Sequence, residues 1–439
     1  MEKIGINFGK STIAVNLDER WKAEIIRKLD MPVIESPEEA VAHALSNPVS
    51  SDTLFNEAKG KTTACILICD ITRPVPNQLL LPQIVSTLVA GGVKKSDIVI
   101  LIATGLHRPN EGAELEQLIG DQSILDEVTI INHDAREDKE HIYVGTTSQG
   151  VEAKIDKRFV EADIKIVTGL VEPHFMAGYS GGRKVIAPGI AHHKTIRTFH
   201  NYKFMSHPRA DSCLLEGNPL HEAQIEIVRM LGPILCVNTV LDEKRNLSFV
   251  NFGDIESSHL KAVNYAKDYL SIPVNRQYQT IVTSAAGYPL DQTYYQTVKG
   301  MVVPYRILAP GGDLIIASEC AEGFGSEEYM KSQKLLLSKG SSDFNREIAK
   351  KSLAAIDEWQ TQMQTKVMNV GNVYLYTTGL DTTERSLTGV QIIDDLNEFI
   401  SSRVERNYRE LGESSLAIIP EGPYVVPAHI ENHTIVPNG

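Results

Sequence analysis

Five short, continuous runs rich in β-branched residues constrain this chain more than any other feature: Ala64 to Cys69, Ile98 to Ala103, Ile164 to Thr168, Thr280 to Ser284 and Leu314 to Ala317. A strand wetted on one face alternates apolar and polar side chains. These runs do not alternate, which predicts strands buried on both faces of a parallel sheet covered by helices. Helical segments fill the gaps, among them Leu79 to Ala90, Leu220 to Met230, Leu260 to Leu270 and Tyr294 to Ile307. The chain opens differently, with alternating runs Ile4 to Phe8 and Thr12 to Leu17 joined at Gly9-Lys10, which reads as a hairpin. A helix is then predicted from Pro37 to Leu45, because Ser36 supplies a capping hydroxyl, Pro37 suits the first turn and Glu38 and Glu39 follow. The fold class expected is α/β, with two domains of mostly parallel sheets and an active-site cleft between them.

The 439 residues suffice for two such domains. The boundary is expected at Ile272-Pro273-Val274, giving an N-terminal α/β domain over 1–272 and a C-terminal one over 273–415. Residues 416–439, with Pro420, Pro423, Pro427 and Pro437, are expected to form an irregular tail packing back on the N-terminal domain. The glycine- and serine-rich segment 321–346 reads as a mobile surface stretch, followed by a long polar helix from about Asn345 to Gln364. No internal repeat is visible.

Charge and cysteine narrow the class of partner. Lys and Arg number 43 against 56 Asp and Glu, a formal charge of −13. With no basic cluster, this argues against nucleic acid and anionic membranes as partners. The five cysteines (65, 69, 213, 236 and 320) form no disulfide framework. Met1-Glu2-Lys3-Ile4 lacks the apolar stretch a secretory signal needs and no apolar run of about 18 residues occurs, so a reducing cytoplasmic location is expected.

In open α/β sheets ligands bind beyond the carboxyl ends of the strands. Five strand ends here carry chemistry: Asp70-Ile71-Thr72-Arg73, Thr104-Gly105-Leu106-His107-Arg108, Glu172-Pro173-His174, Gly287-Tyr288-Pro289-Leu290-Asp291-Gln292, and Ser318-Glu319-Cys320. Each has an ordinary explanation as cap, loop or surface charge; jointly they mark a site. The densest stretch runs on from His174 through Ala177-Gly178-Tyr179-Ser180-Gly181-Gly182-Arg183-Lys184. Its glycines let backbone approach an anion closely, and Lys184 stands at the loop's end as a possible point of covalent attachment. It is not a Walker A loop, because Val185 stands where the magnesium hydroxyl belongs, and it is not the G-x-G-x-x-G of dinucleotide folds. His192 and His193 read as surface-helix residues. His200 reads equally as a helix histidine or a metal ligand, and no zinc-type spacing surrounds it, so a metal there would need non-protein ligands. Downstream, Tyr295 and Lys299 lie four apart on a predicted helix and share a face with Gln292, with Gln296 adjacent.

Taken together, these motifs resemble the nickel-pincer lactate racemase family, closely over residues 60–310 and loosely elsewhere. The resemblance implies a nickel-pincer nucleotide, a pyridinium mononucleotide with two sulfur-bearing arms, attached through Lys184 and ligated by His200. It assigns cofactor contacts to Asp70, Thr72, Arg108, Tyr179, Ser180, Gly181 and Gly182, with Asp70, Thr72 and Arg108 orienting cofactor or histidines. The bases would be His107 and His174, one per enantiomer. Arg73, Tyr295, Gln296, Lys299 and Trp359 would receive the substrate, Trp359 on the thinnest grounds because no motif surrounds it.

The reaction so implied is inversion at C2 of a 2-hydroxy acid, lactate or another short one, through hydride transfer and a 2-keto acid intermediate. A sugar-acid 2-epimerase is the second reading. An NAD(P)-dependent or Schiff-base enzyme and a non-catalytic binding protein are the readings outside the family. Partners would be the small acid and, for maturation, the enzymes that make the cofactor; a homodimer is left open.

Overall fold

In the computed structural model, residues 2–412 and 415–429 are described. The chain forms two compact units. The first comprises Asp30–Phe199 and His207–Asp268; the second comprises Met1–Leu29, His200–Ser206 and Tyr269–Gly439.

The first unit is built on six strands in the spatial order Leu247–Asp254, Leu235–Leu241, Ile164–Leu170, Ala64–Cys69, Ile98–Ala103, Thr129–Asn132. All neighbours are parallel except the outermost Leu247–Asp254 pairing. The continuous runs are the central strands, as expected, and Ile66, Leu67, Ile68, Ile100 and Ile102 are wholly buried. Helices Pro37–Ser46 and Asn77–Ala90 supply Val41, Leu80, Leu81, Ile84 and Leu88 to the same core. Taken along the sequence, the order reverses between Ala64–Cys69 and Ile164–Leu170. That is the topological switch point, where loops leaving adjacent strands part to opposite sides and open a crevice.

The second unit has its own all-parallel sheet, ordered Gln391–Ile393, Asn372–Tyr376, Leu308–Ala317, Tyr278–Ser284, Leu416–Ile419, Ala23–Ile25. The hairpin forms as predicted, Glu2–Phe8 against Ser11–Leu17. Its inward face, Ile4, Ile6, Val15 and Leu17, packs with Val282, Ile315 and Leu416 of this sheet and Ile400 and Val404 of helix Leu396–Leu411.

Three expectations need correction. Residues 2–29 fold with the C-terminal sheet rather than the N-terminal domain, because the hairpin's apolar face and edge strand Ala23–Ile25 are satisfied there; the units change at 268/269, within a few residues of the expected boundary. The start of the supposed irregular tail is Leu416–Ile419, a four-residue strand buried throughout. Its successor Val426–His429 pairs with Ser271–Val274 in a two-stranded sheet, where Pro427 is tolerated because one side of the strand is unpaired; residues 430–439 lie outside the described part. Finally, segment 321–346 is not a loop. It contains most of helix Glu327–Ile348, opened by Ser326, whose hydroxyl accepts the Tyr329 N–H at 3.0 Å, and kinked at Gly340. Tyr329, Gln333 and Leu336 are buried at helical spacing, and a polar residue in that set hid the pattern. The polar helix expected over 345–364 is correspondingly broken, and a separate helix, Glu358–Met368, follows.

Candidate active site

At the switch point, strand Ala64–Cys69 ends in Asp70 and strand Ile164–Leu170 is followed by Glu172 and His174. Asp70 is buried, accepts the Thr72 hydroxyl at 2.6 Å and lies 2.6 Å from Nδ1 of His107, which comes from the neighbouring strand end. Burial pushes the Asp70 carboxyl up, but the hydrogen bond and charge of His107, with Thr72 and Arg73, outweigh it and leave it below the usual carboxylate range. An ionised Asp70 can only accept, so His107 donates from Nδ1, which leaves Nε2 as the nitrogen that can take up or release a proton. Arg73 pairs with Glu172 across the two switch-point strand ends. His174 is buried, and its Nδ1 accepts long hydrogen bonds from the Met176 and Ala177 N–H groups, at 3.4 and 3.3 Å.

Every residue from Met176 to Ala187 is buried except Lys184. Gly178, Gly181 and Gly182 all have positive φ, and a Cβ on Gly182 would sit 2.8 Å from the His259 ring. The hydroxyl of Ser180 donates to the Leu170 carbonyl at 2.7 Å, closing the loop onto its own strand. The chain then enters a single helical turn, Arg183–Ile186, that carries Lys184.

In the second unit, Tyr295, Gln296 and Lys299 lie on helix Tyr294–Val302, where Thr293 caps the N-terminus. Gln296 keeps a buried side-chain oxygen without a hydrogen-bond partner among the described residues. Trp359, the weakest expectation, donates its indole N–H to the Tyr295 hydroxyl at 3.1 Å and packs against the His200 ring, centroids 4.6 Å apart. His200, Tyr295 and Trp359 are thus in one cluster that no motif spacing linked.

Comparisons with known proteins give the family. Residues 8–212 match the family model described as the lactate racemase N-terminal domain, and residues 274–426 match the lactate racemase C-terminal domain. The chain belongs to the lactate racemase family. It is therefore an isomerase. A lactate racemase from Thermoanaerobacterium thermosaccharolyticum is 34% identical over 372 residues, covering 84% of this chain and 86% of that protein. A lactate racemase from Lactiplantibacillus plantarum is 30% identical over 431 residues, covering 97% and 100%. The solved lactate racemase apoprotein from T. thermosaccharolyticum matches with a TM-score of 0.89 at 31% identity, over 98% of this chain and all of that one. A Thermotoga maritima protein shares the fold, with a TM-score of 0.64 at 19% identity over 91% of this chain and all of its own.

Within this lactate racemase fold, several residues expected to touch a cofactor also have partners in the protein. Arg108 is exposed and forms a two-pronged pair with Glu114, at 2.7 and 2.6 Å. Tyr179 is buried in protein, and burial, with Cys213 nearby, pushes its hydroxyl pKa up. Thr72 is committed to Asp70 and Ser180 to Leu170. Sequence reasoning also passed over Glu172 as the partner of Arg73, Asn218, whose amide holds the Met176 carbonyl at 3.0 Å, and His259. Asn218 before Pro219 is a recognisable helix cap; His259 sits mid-helix with no local signal.

If His107 is a base, its orientation by Asp70 has a measurable consequence. In Asp70→Asn protein the amide can present N–H instead of an acceptor to Nδ1, which favours the wrong tautomer of His107. Racemisation is expected to fall about 10- to 100-fold with little change in melting temperature. Wild-type turnover by that variant would show that the dyad is not used.

His192 is not on the surface, as expected from sequence, but wholly buried. It sits in a chain of imidazoles. His141 Nδ1 donates to the Glu137 carbonyl at 2.8 Å, so its Nε2 accepts from Nε2 of His133 at 2.9 Å. The rings of His141 and His192 stand 5.1 Å apart, and His192 Nε2 lies 2.9 Å from Asp138. Burial lowers the pKa of His133 to about 3 and that of His192 to about 4, with neighbouring histidines adding to both. The unfolded chain therefore takes up these protons near pH 6.5 and the folded chain only near 3 to 4. Stability is full above about 6.5 and is lost as pH falls below it, by about 2 kcal/mol at pH 5 for His133 alone. Melting temperature is expected to drop by several degrees between pH 7 and 5, with a shallower slope in His133→Asn protein; an equal slope would rule this source out.

Proposed function

We propose that the chain racemises lactate, or another short 2-hydroxy acid, with a nickel-pincer nucleotide attached at Lys184 and His200 as the protein's nickel ligand. The observation that carries this reading is the Asp70–His107 pair at the switch point, an oriented base at the place where an open α/β sheet binds its ligand.

The residues fit such a group. A nickel already held by an organic carrier needs one imidazole, which His200 supplies. Lys184 is the one amine on an otherwise buried loop, and the glycines beside it occupy backbone conformations that side chains disfavour. When bound, the pincer would supply reversible acceptance of a hydride from C2.

The chain's own residues would manage the proton and hold the substrate. His107, with Nδ1 tied to Asp70, takes the hydroxyl proton of one enantiomer at Nε2. His174 serves the other enantiomer. For that its Nδ1 must carry a proton, which requires giving up the long contacts to Met176 and Ala177. The two bases are therefore inequivalent in the resting protein. Arg73 would bind the substrate carboxylate, with Glu172 as the group that holds the guanidinium in its absence. Lys299 would be the second cation, and Tyr295, Gln296 and Trp359 would line the substrate's position. Inversion of a fixed acid about a carboxylate anchor needs no large movement of the chain.

A cytoplasmic location, maturation by cofactor-making enzymes and a homodimeric state belong to the same reading. No helix among the described residues is long and apolar enough to cross a membrane. The test is intact mass and nickel content of protein matured with the cofactor pathway, followed by inversion assays on D- and L-lactate and on longer sugar acids. Stoichiometric nickel, added mass and lactate inversion support the proposal. Racemisation by protein made without the pathway would overturn it, and preference for sugar acids would move the substrate to the epimerase class.

A further inference from the structure

Arg183 is the largest wholly buried side chain among the described residues, and the racemase reading gives it no task. Its guanidinium donates from Nη2 to the carbonyl oxygens of Ala177 and Tyr179, at 2.8 and 3.2 Å, while Nη1 lies 3.0 Å from Nε2 of His259. None of these partners is acidic. Removing a cation from water without an anion is costly, and a core position of this size is ordinarily filled by an apolar side chain. Burial pulls the guanidinium down to about 9, so it remains charged at neutral pH.

His259 arrives from helix Ile255–Leu270, 76 residues along the chain. Its Nε2 also lies 2.8 Å from the Ser180 carbonyl. Burial and the Arg183 charge hold this imidazole well below its usual pKa, so it is neutral, and the one nitrogen either donates to Ser180 or accepts from Arg183. Either way, the carbonyls of residues 177, 179 and 180 gather on the guanidinium–imidazole pair. Because a trans peptide points its N–H opposite its C=O, this turns the N–H groups of 178, 180 and 181 away from the pair; that of Ser180 goes to the Glu172 carbonyl at 2.9 Å. The ring of His259 also occupies the space a Cβ at Gly182 would need. Arg183 and Lys184 are neighbours on one helical turn, the first wholly buried and the second alone in its stretch in not being buried.

We propose that Arg183, seated by His259, is the positioning residue for Lys184: it fixes the glycine loop so that the amine is presented for cofactor attachment. Through Ala177, whose N–H meets His174 and whose carbonyl meets Arg183, it also fixes the resting position of that imidazole. The role rests on Lys184 being the attachment point.

The test compares full-length matured protein with His259→Leu, His259→Gln and Arg183→Met variants. Two quantities are read: the fraction of Lys184 carrying added mass, and amide hydrogen exchange across residues 175–186. In His259→Leu and Arg183→Met protein the added mass is expected to fall at least about tenfold and local exchange to quicken about tenfold, with exchange elsewhere unchanged. His259→Gln should restore both, because an amide offers an acceptor to Arg183 and a donor to Ser180 together. Wild-type loading and exchange in His259→Leu would overturn the proposal, as would lost loading with unchanged exchange. Should Arg183→Met fail to fold, the Leu and Gln pair at 259 decides. Should wild-type protein itself carry no mass at Lys184, the attachment reading fails, while the exchange comparison still decides whether the clamp orders the loop.

Discussion

Lys184→Ala protein, produced alongside the cofactor-making enzymes, is expected to show the mass of the bare polypeptide, to retain no stoichiometric nickel, and to racemise neither enantiomer of lactate. The fall should be about 10³-fold or more, equivalent to over about 4 kcal/mol of barrier. The physical reason is local. Within Met176–Ala187 only Lys184 avoids burial, so its amine is the one nucleophile the loop offers, and no neighbouring side chain can replace it. Truncation there removes little core contact, and melting temperature should stay close to that of the parent. Lys184→Arg is the sharper control, because it keeps the charge and loses the amine; it should be equally inactive. Nickel retention with active racemisation in either variant would show that attachment at Lys184 is not required.

The second large effect is expected at the two bases. His107→Ala and His174→Ala should each lower racemisation by roughly 10²- to 10⁴-fold, in both directions, since in the proposed mechanism inversion passes through both imidazoles and each serves one enantiomer. Their inequivalence adds a finer expectation. On the proposed reading Asp70 already orients His107 with Nε2 toward the substrate, whereas His174 must first give up Met176 and Ala177. The maximal rate should therefore differ between the two directions, and Asp70→Asn should narrow that difference by impairing His107 selectively. Because the equilibrium constant of a racemisation is one, kcat/KM must stay equal in both directions, and the difference must appear in kcat and KM together. Full activity of either alanine variant would remove that histidine from the mechanism.

Much of this was legible in the sequence. Strands buried on both faces leave continuous runs rich in β-branched residues, and these located the central strands; Ala64–Cys69 and Ile98–Ala103 have their predicted bounds. The residues just past them are where a parallel sheet presents chemistry, so Asp70, His107 and His174 could be marked from chain position alone. Local rules of this kind work because they depend on a few neighbouring residues and a fixed backbone geometry.

Tertiary structure decided whatever depends on partners distant in sequence. The hairpin's alternation showed that one face is buried, and only the packed structure shows that the face belongs against Val282 and Ile315 rather than on the nearer sheet. The prolines near the C-terminus suggested irregular chain, but Leu416–Ile419 completes the sheet because a slot between two other strands awaited it. Arg108 and Arg73 look alike as strand-end cations; the fold gives one an exposed partner in Glu114 and the other a partner across the switch point in Glu172. Arg183 and Lys184 are adjacent basic residues, and nothing local says that one is buried without an acid while the other is not. That distinction comes from His259, and burial, which sets the cost of a charge, is a property of the assembled chain.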